Sequence, residues 1–324
     1  MVLSEFEIIR RYFTRTAPGA ILGIGDDAAL IRPSAGSELA VSTDMLVSGT
    51  HFFPGVDPRK LGYKSLAVNL SDMAAMGASP RWAMLALVLP ASMLQADEKW
   101  LEQFAAGFFE LADAYEVNLI GGDTTRGPLA VCVTIIGEIA AGAALRRSGA
   151  RPGDDIWISG QLGGAALALA HQLGQITLQP DELAACLPAL ETPVARVGLG
   201  QHLPGLANSA IDISDGLLAD LGHILDCSKV AGVVRMAEIS CPACLRKYLP
   251  QPFAVTCLLA GGDDYELCFT APRARRQEIE TLSRIQQASV TRIGEITEGT
   301  GLAVLDAAGR AMPLDIQGYD HFRT

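Results

Sequence analysis

The chain contains no GxxxxGK[ST] run, which excludes a P-loop as its way of holding nucleotide phosphates. Clustered positive charge is also scarce. Only 25 Lys and Arg stand against 36 Asp and Glu, for a formal net charge of -11. The largest basic group, Arg273, Arg275 and Arg276, reads as a solvated helix start. Nonspecific nucleic-acid binding needs a basic stripe, so nucleic acid is not an expected partner. Long apolar runs are missing. Trp82–Leu89 is too short to cross a bilayer, and no membrane association is expected. Met1-Val2-Leu3-Ser4-Glu5 lacks the basic stretch and apolar core of a signal peptide, so the expected location is the cytoplasm. No short-period repeat points to a solenoid. The seven cysteines are scattered. Cys132, Cys257 and Cys268 sit in apolar runs and read as small buried hydrophobes. Cys241-Pro-Ala-Cys244 has no second pair at metal spacing, so it reads as structural or incidental.

What is present is ordinary globular material. The 324 residues are 49% hydrophobic and 19% charged. That is enough for two cores of roughly 150 residues each. Strand-like and helix-like segments alternate throughout, giving an α/β fold class with α+β character. Leu39–Thr43 reads as a strand. Asp57-Pro58 starts a helix that runs to about Met76 and stops at Gly77. Trp82–Leu89 reads as a strand and Asp97–Tyr115 as a helix, with Leu101, Phe104, Phe108 and Leu111 on one face. Strands at Val117–Ile120 and Leu129–Ile139 flank an expected Gly121-Gly122-Asp123 turn. Turn formers from Ser148 to Asp154 mark a boundary, predicting domains 1–148 and 149–324. Beyond it, strands are predicted at Asp155–Ser159, Tyr265–Thr270 and Val290–Ile296. Helices are predicted at Gly163–Leu173, Ser214–Cys227 and Pro272–Ile285.

The informative feature is where the aspartates sit. Asp26 and Asp27 follow Gly23-Ile24-Gly25, Asp44 follows Ser42-Thr43, and Asp123 follows Gly121-Gly122. Asp212 and Asp215 flank Ser214, and Asp263 and Asp264 follow Gly261-Gly262. Junctions between apolar strands and small-residue turns are where α/β sheets place ligands. Taken singly, each aspartate is equally at home as a turn former or helix cap. Asp215 in particular suits the start of its own helix, with Ser214 as cap. Asp72 is different. It lies mid-helix among Leu70, Met73 and Met76, on the face of Asn69, and needs a partner.

Gathered carboxylates repel one another unless cations neutralise them. Oxygen ligands without His or Cys select hard cations, and the EF-hand loop is absent, so magnesium shared with phosphates is the natural reading. Gly23-x-Gly25-x-x-Ala28 imitates a dinucleotide fingerprint, with Asp44 near the ribose distance. Asp26 and Asp27 would then face a pyrophosphate without a bridging metal, which disfavours that reading.

Six stretches together resemble the thiamine-monophosphate kinase family, within the aminoimidazole-ribonucleotide synthetase-like superfamily. They are Gly25-Asp-Asp-Ala28, Ser42-Thr-Asp-Met-Leu-Val-Ser-Gly-Thr-His-Phe52, Asn69-Leu-Ser-Asp-Met-Ala-Ala-Met-Gly-Ala78, Gly121-Gly-Asp-Thr-Thr125, Asp212-Ile-Ser-Asp-Gly-Leu217 and Gly261-Gly-Asp-Asp-Tyr-Glu-Leu267. They span essentially the whole chain in order, and Gly318-Tyr-Asp-His-Phe322 adds a terminal match. The resemblance implies an N-terminal domain that binds ATP and metal and forms a homodimer through its sheet, and a C-terminal α/β domain. It implies transfer of the ATP γ-phosphoryl group to thiamine monophosphate, giving thiamine diphosphate, with several magnesium ions as cofactors. It assigns Asp27, Ser42, Thr43, Asp44, Asp72, Asp123, Asp212 and Asp215 to magnesium. It assigns Gly122, Asp123, Arg147 and Ser214 to ATP, and His51, Asp263 and Tyr319 to thiamine monophosphate. The family usually carries glutamate where this chain has Asp263, and Asp264 stands beside it as a second candidate. No general base is implied. Two alternatives are another ATP-dependent synthetase of the superfamily and a noncatalytic nucleotide- or metal-binding protein. A selenophosphate synthetase is disfavoured, because no cysteine precedes Cys132.

Overall fold

The computed structural model describes residues 4–96 and 98–313. Its contacts divide the chain into two units. One runs up to Met73 and from Ala78 to Gly142; the other comprises Ala74–Gly77 and the chain from Ala143 onward.

In the first unit the strands are β1 (Ser37–Val47), β2 (Ser79–Leu89), β3 (Asn118–Arg126) and β4 (Ala130–Ala140). They form a four-stranded sheet in the order β1-β4-β2-β3. β2 and β3 run parallel, and the other pairs are antiparallel. Side chains alternate between faces along each strand. Leu85, Leu87 and Leu89 on β2 and Val131, Val133 and Ile135 on β4 are buried. These residues share the core with the helices Pro58–Met76 and Glu98–Ala114, through Leu66, Leu70, Met73, Phe104 and Phe108. On the opposite face Leu39, Val41, Met45 and Met84 are 42, 62, 57 and 38% exposed.

The Pro58–Met76 helix follows its sequence signals. The Asp57 carboxylate accepts the Arg59 N–H at 2.8 Å, and Gly77 ends the helix at φ +70°. Where it crosses Glu98–Ala114 the backbones nearly touch. A Cβ on Gly107 would lie 1.8 Å from the Arg59 carbonyl oxygen. The crossing is therefore reserved for glycine.

The predicted turn at Gly121-Gly122-Asp123 is not a turn. These residues continue β3, paired with Met84, Leu85 and Ala86, and the chain reverses only at Gly127-Pro128. The strand survives the two glycines by shifting register between Ala83 and Met84. Gly122 sits at φ +148°, with room for no Cβ because the Leu85 carbonyl oxygen is 1.8 Å from that position.

The second unit carries β5 (Asp154–Ser159), β6 (Ser209–Ile213), β7 (Ala231–Arg235), β8 (Glu266–Pro272), β9 (Val290–Thr297) and β10 (Gly301–Leu305). They form a six-stranded sheet in the order β10-β7-β9-β5-β8-β6. Only β10 and β7 run parallel. Its apolar core includes Ile156, Ile158, Ile211, Ile213 and Cys268 from the strands. Leu167, Leu221, Ile224 and Leu258 come from the helices Gly164–Gln172, Leu217–Ser228 and Pro252–Ala260. Cys241, Cys244 and Cys257 are buried free thiols, and Cys132 is half-buried.

Two helix starts differ from expectation. Leu217–Ser228 begins three residues after Ser214, so Ser214 and Asp215 stand in the loop before it. Arg276–Ile285 begins after a short Arg273–Arg275 turn. Arg276 is not merely solvated. Its guanidinium donates twice to the buried Asp155 carboxylate, at 2.6 and 2.6 Å.

Candidate functional site

In the first unit, strand alternation separates the expected ligands. Ser42 and Asp44 point to the helix-covered side of β1, and Thr43 points to the other. The Ser42 hydroxyl donates to the Asp72 carboxylate at 2.5 Å. This is the partner that a mid-helix carboxylate among apolar neighbours requires. The Thr43 hydroxyl instead shares a hydrogen bond with Thr134 at 2.8 Å on the exposed face. Asp123 falls on that same face. It pairs with Ala86, which pairs with Cys132, which pairs with Met45. Ser42, Asp44 and Asp72 therefore form one group, with Thr43 and Asp123 across the sheet from it. Asp27 is exposed in the loop closed by the Leu22–Leu30 bridge, and its N–H donates to Asp26 at 2.9 Å.

His51 closes the turn after β1. Its N–H donates to the Val47 carbonyl at 2.9 Å, and its Nδ1 accepts the Val47 N–H at 3.0 Å. The ring proton therefore sits on Nε2.

In the second unit two motif loops are laced together. The Asp263 N–H donates to the Ser214 carbonyl at 2.9 Å, and the Tyr265 N–H donates to the Ile213 carbonyl at 2.8 Å. This sets the backbone of the Asp212-to-Gly216 segment, which carries Asp212, Ser214 and Asp215, against that of the segment carrying Asp263. Asp263 and Tyr265 adopt positive φ, +66° and +51°, an uncommon conformation for such residues. The Tyr265 hydroxyl donates to Asp263 Oδ1 at 2.9 Å. Asp264 turns the opposite way. It is buried, and its two oxygens accept the Gly163 N–H at 3.0 and 2.9 Å, at the start of the Gly164–Gln172 helix. Burial pushes its carboxyl well up, against the pull of the Gly163 and Ala165 N–H groups. The next acidic residue, Glu266, is equally committed. Arg196 grips it with bonds of 2.6 and 2.5 Å, and the Ser159 hydroxyl donates to it at 2.5 Å.

Arg147 is not drawn into this cluster. Its carbonyl accepts from Ser228 at 3.3 Å, at the C-terminal end of the helix whose N-terminal side carries Ser214. That helix has 12 residues, roughly 18 Å of rise. Tyr319 lies outside the described residues.

One residue of the site escaped sequence reasoning. Asp220, 2% exposed in the first turn of the Leu217–Ser228 helix, takes the N–H groups of Ser214, Asp215 and Gly216 on one oxygen, at 3.0, 3.0 and 3.1 Å. Burial and the neighbouring Asp212 push its carboxyl up to about 7, against the pull of the Asp215 and Gly216 N–H groups. The signal available was an acidic residue in a helical first turn, which also describes many surface aspartates.

Among the described residues no group of three or more His, Cys, Asp or Glu side chains stands ready to hold a metal. The local donors are one or two carboxylates with hydroxyls and carbonyls. They suit a hard cation that takes its remaining ligands from phosphate and water, as magnesium does. No described helix is long and apolar enough to cross a membrane.

Comparison with known proteins agrees with the motif reading. Residues 25–139 match the family model "AIR synthase related protein, N-terminal domain", and 151–307 match the corresponding C-terminal domain. The chain is 43% identical to the thiamine-monophosphate kinase of Escherichia coli (strain K12) over 328 residues, covering 100% of both chains. It is 38% identical to that of Haemophilus influenzae over 330 residues, covering 100% of this chain and 99% of the other. Among solved structures, thiamine-monophosphate kinase from Stenotrophomonas maltophilia K279a superposes with a TM-score of 0.83 at 47% identity, covering 94% of this chain and 95% of that one. AaThiL complexed with AMPPCP and TMP superposes with a TM-score of 0.77 at 28% identity, covering 98% and 96%. The chain belongs to the thiamine-monophosphate kinase family.

Proposed function

We propose that this enzyme transfers the γ-phosphoryl group of ATP directly to the phosphate of thiamine monophosphate, giving ADP and thiamine diphosphate. The observation that carries the reading is full-length identity of 43% to a thiamine-monophosphate kinase, with the six motif stretches in order. The structure of a relative complexed with AMPPCP and TMP supports both substrates.

The acceptor is a phosphate monoester with a second pKa near about 6, so it is largely dianionic at neutral pH. An acceptor oxygen attacks the γ-phosphorus, the bond to the β-phosphate oxygen breaks, and ADP leaves. No proton has to be removed from the nucleophile, which fits a site without a general base. The obstacle is repulsion between two anions. Magnesium ions would supply the charge neutralisation. In the first unit the family motifs offer Asp27, the Ser42, Asp44 and Asp72 side of the sheet and Thr43 and Asp123 on its other face, and in the second unit Asp212 and Asp215. The Ser42–Asp72 bond pre-orients one of these carboxylates. Ser214 offers ATP its hydroxyl, because its N–H and carbonyl are already used. Gly122 and Asp123 are the ATP positions of the family motif, and the glycine is what lets β3 pack this closely on Leu85 of β2. His51 and Asp263 serve thiamine monophosphate, and the Tyr265 hydroxyl fixes the Asp263 carboxylate. Tyr319 and Arg147 complete the set on the strength of the family motif alone.

We further propose a homodimer formed by the open face of the first sheet, where Leu39, Val41, Met45 and Met84 are exposed. The division into an N-terminal domain, 1–148, and a C-terminal domain, 149–324, is supported by family matches at 25–139 and 151–307. A cytoplasmic location is the reading we retain.

Chelation and substitution test the metal reading. EDTA should stop turnover and magnesium restore it. Asp44→Ala and Asp212→Ala should each abolish turnover with the circular-dichroism spectrum retained. Normal activity in chelator, or in either folded variant, would contradict it.

A further inference from the structure

We propose that Asp220 is a positioning residue for phosphoryl transfer, holding the Asp212-Ile-Ser-Asp-Gly216 turn in shape from beneath. Three consecutive backbone N–H groups converging on one point form a concavity that usually receives an anion. Here the protein fills that concavity with an acceptor oxygen of its own. Asp220 Oδ2 takes the Ser214, Asp215 and Gly216 N–H groups at 3.0, 3.0 and 3.1 Å, and the Asp220 N–H donates back to the Gly216 carbonyl at 3.0 Å. On the other side, Asp263 and Tyr265 donate to the Ser214 and Ile213 carbonyls.

Two consequences follow for chemistry. The turn cannot bind a substrate phosphate through these three N–H groups, because they are taken. It meets phosphate through the Ser214 hydroxyl and through cations held by Asp212 and Asp215. The second consequence concerns geometry. Asp212 and Asp215 are three positions apart across a turn whose N–H groups are fixed by a buried carboxylate. Without that carboxylate the turn is free to rearrange, and the freed N–H groups become a competing anion site. Asp220 thus does for the acidic turn what supporting groups do for metal-binding side chains, whose loss commonly costs about 10- to 100-fold in metal affinity or activity.

The rate arm of the test rests on the kinase reading; the exchange arm does not. In the full-length wild-type protein, hydrogen exchange across Asp212–Leu217 should be slow, on the scale of the neighbouring strands. Asp220→Asn keeps the shape of the side chain and weakens acceptance. It should speed exchange in that segment, leave β5 and β9 unchanged, lower kcat about tenfold or more, and raise the half-saturating magnesium concentration. KM for thiamine monophosphate should hold. Fast exchange of the segment in the wild-type protein would overturn the proposal without need of any variant. So would Asp220→Asn with wild-type kcat and magnesium requirement. A loss of kcat with an unmoved magnesium requirement would indicate general destabilisation and also overturn it. If the wild-type protein turns over no thiamine monophosphate, the kinase reading fails, and the exchange measurement still decides the role of Asp220.

Discussion

Asp263 and Asp264 are neighbours with different duties. Asp263 is held at positive φ, half-buried, with its backbone N–H on the Ser214 carbonyl and its carboxylate accepting from the Tyr265 hydroxyl. Asp264 is buried on the Gly163 N–H and anchors a helix. Within the proposed substrate site we therefore assign the family's glutamate role to Asp263. Asp264→Asn would set an amide group against that N–H and should destabilise the fold by about 1–3 kcal/mol in urea unfolding. Asp263→Asn should leave the unfolding midpoint in place and raise KM for thiamine monophosphate. An unmoved KM in folded Asp263→Asn would remove this residue from the substrate site. From sequence the two were indistinguishable, because both follow a Gly-Gly pair. What separates them is the direction each side chain takes along a backbone held at positive φ at Asp263 and again at Tyr265, and a residue string does not encode that direction visibly. Asp72 was legible for the opposite reason. A carboxylate on an apolar helix face demands a partner, and Ser42 supplies it.

At the scale of elements, strong local signals gave reliable boundaries. The Asp57-Pro58 start and Gly77 stop of the long helix are where capping chemistry puts them. The misreadings arose where tertiary pairing outweighed local preference. Gly121-Gly122-Asp123 reads as a turn, yet pairing with β2 draws it into β3. Ser214-Asp215 reads as a helix start, yet Asp220 claims its N–H groups and the helix begins at Leu217. The short strands β6, β7 and β10 have five residues each, too few for periodicity to declare itself. The Gly107 crossing was also invisible, since a helical glycine alone does not say which backbone approaches it. Gly107→Ala should force the two helices apart and cost about 1–3 kcal/mol by thermal or urea unfolding. Wild-type stability would mean that the crossing has slack.

At the scale of the molecule, the first unit has a sheet with one face buried under helices and the other displaying apolar side chains. A second copy of the chain is the partner proposed for that face. Val41→Glu or Met45→Glu should convert the dimer to a monomer in sedimentation equilibrium. A monomeric wild-type protein at micromolar concentration would contradict the assignment. The ordered motifs made family and chemistry legible across the whole chain, whereas the distribution of Thr43 and Asp123 onto the opposite sheet face from Asp72 needed the strand register. The central claim is direct transfer between two phosphates. It is tested most directly by supplying the purified enzyme with ATP radiolabelled in the γ-phosphate, thiamine monophosphate and magnesium, and separating the products. The account predicts that the label appears in thiamine diphosphate, one for each ADP formed, with none retained on the protein. Label released only as inorganic phosphate, or held on the protein, would contradict it.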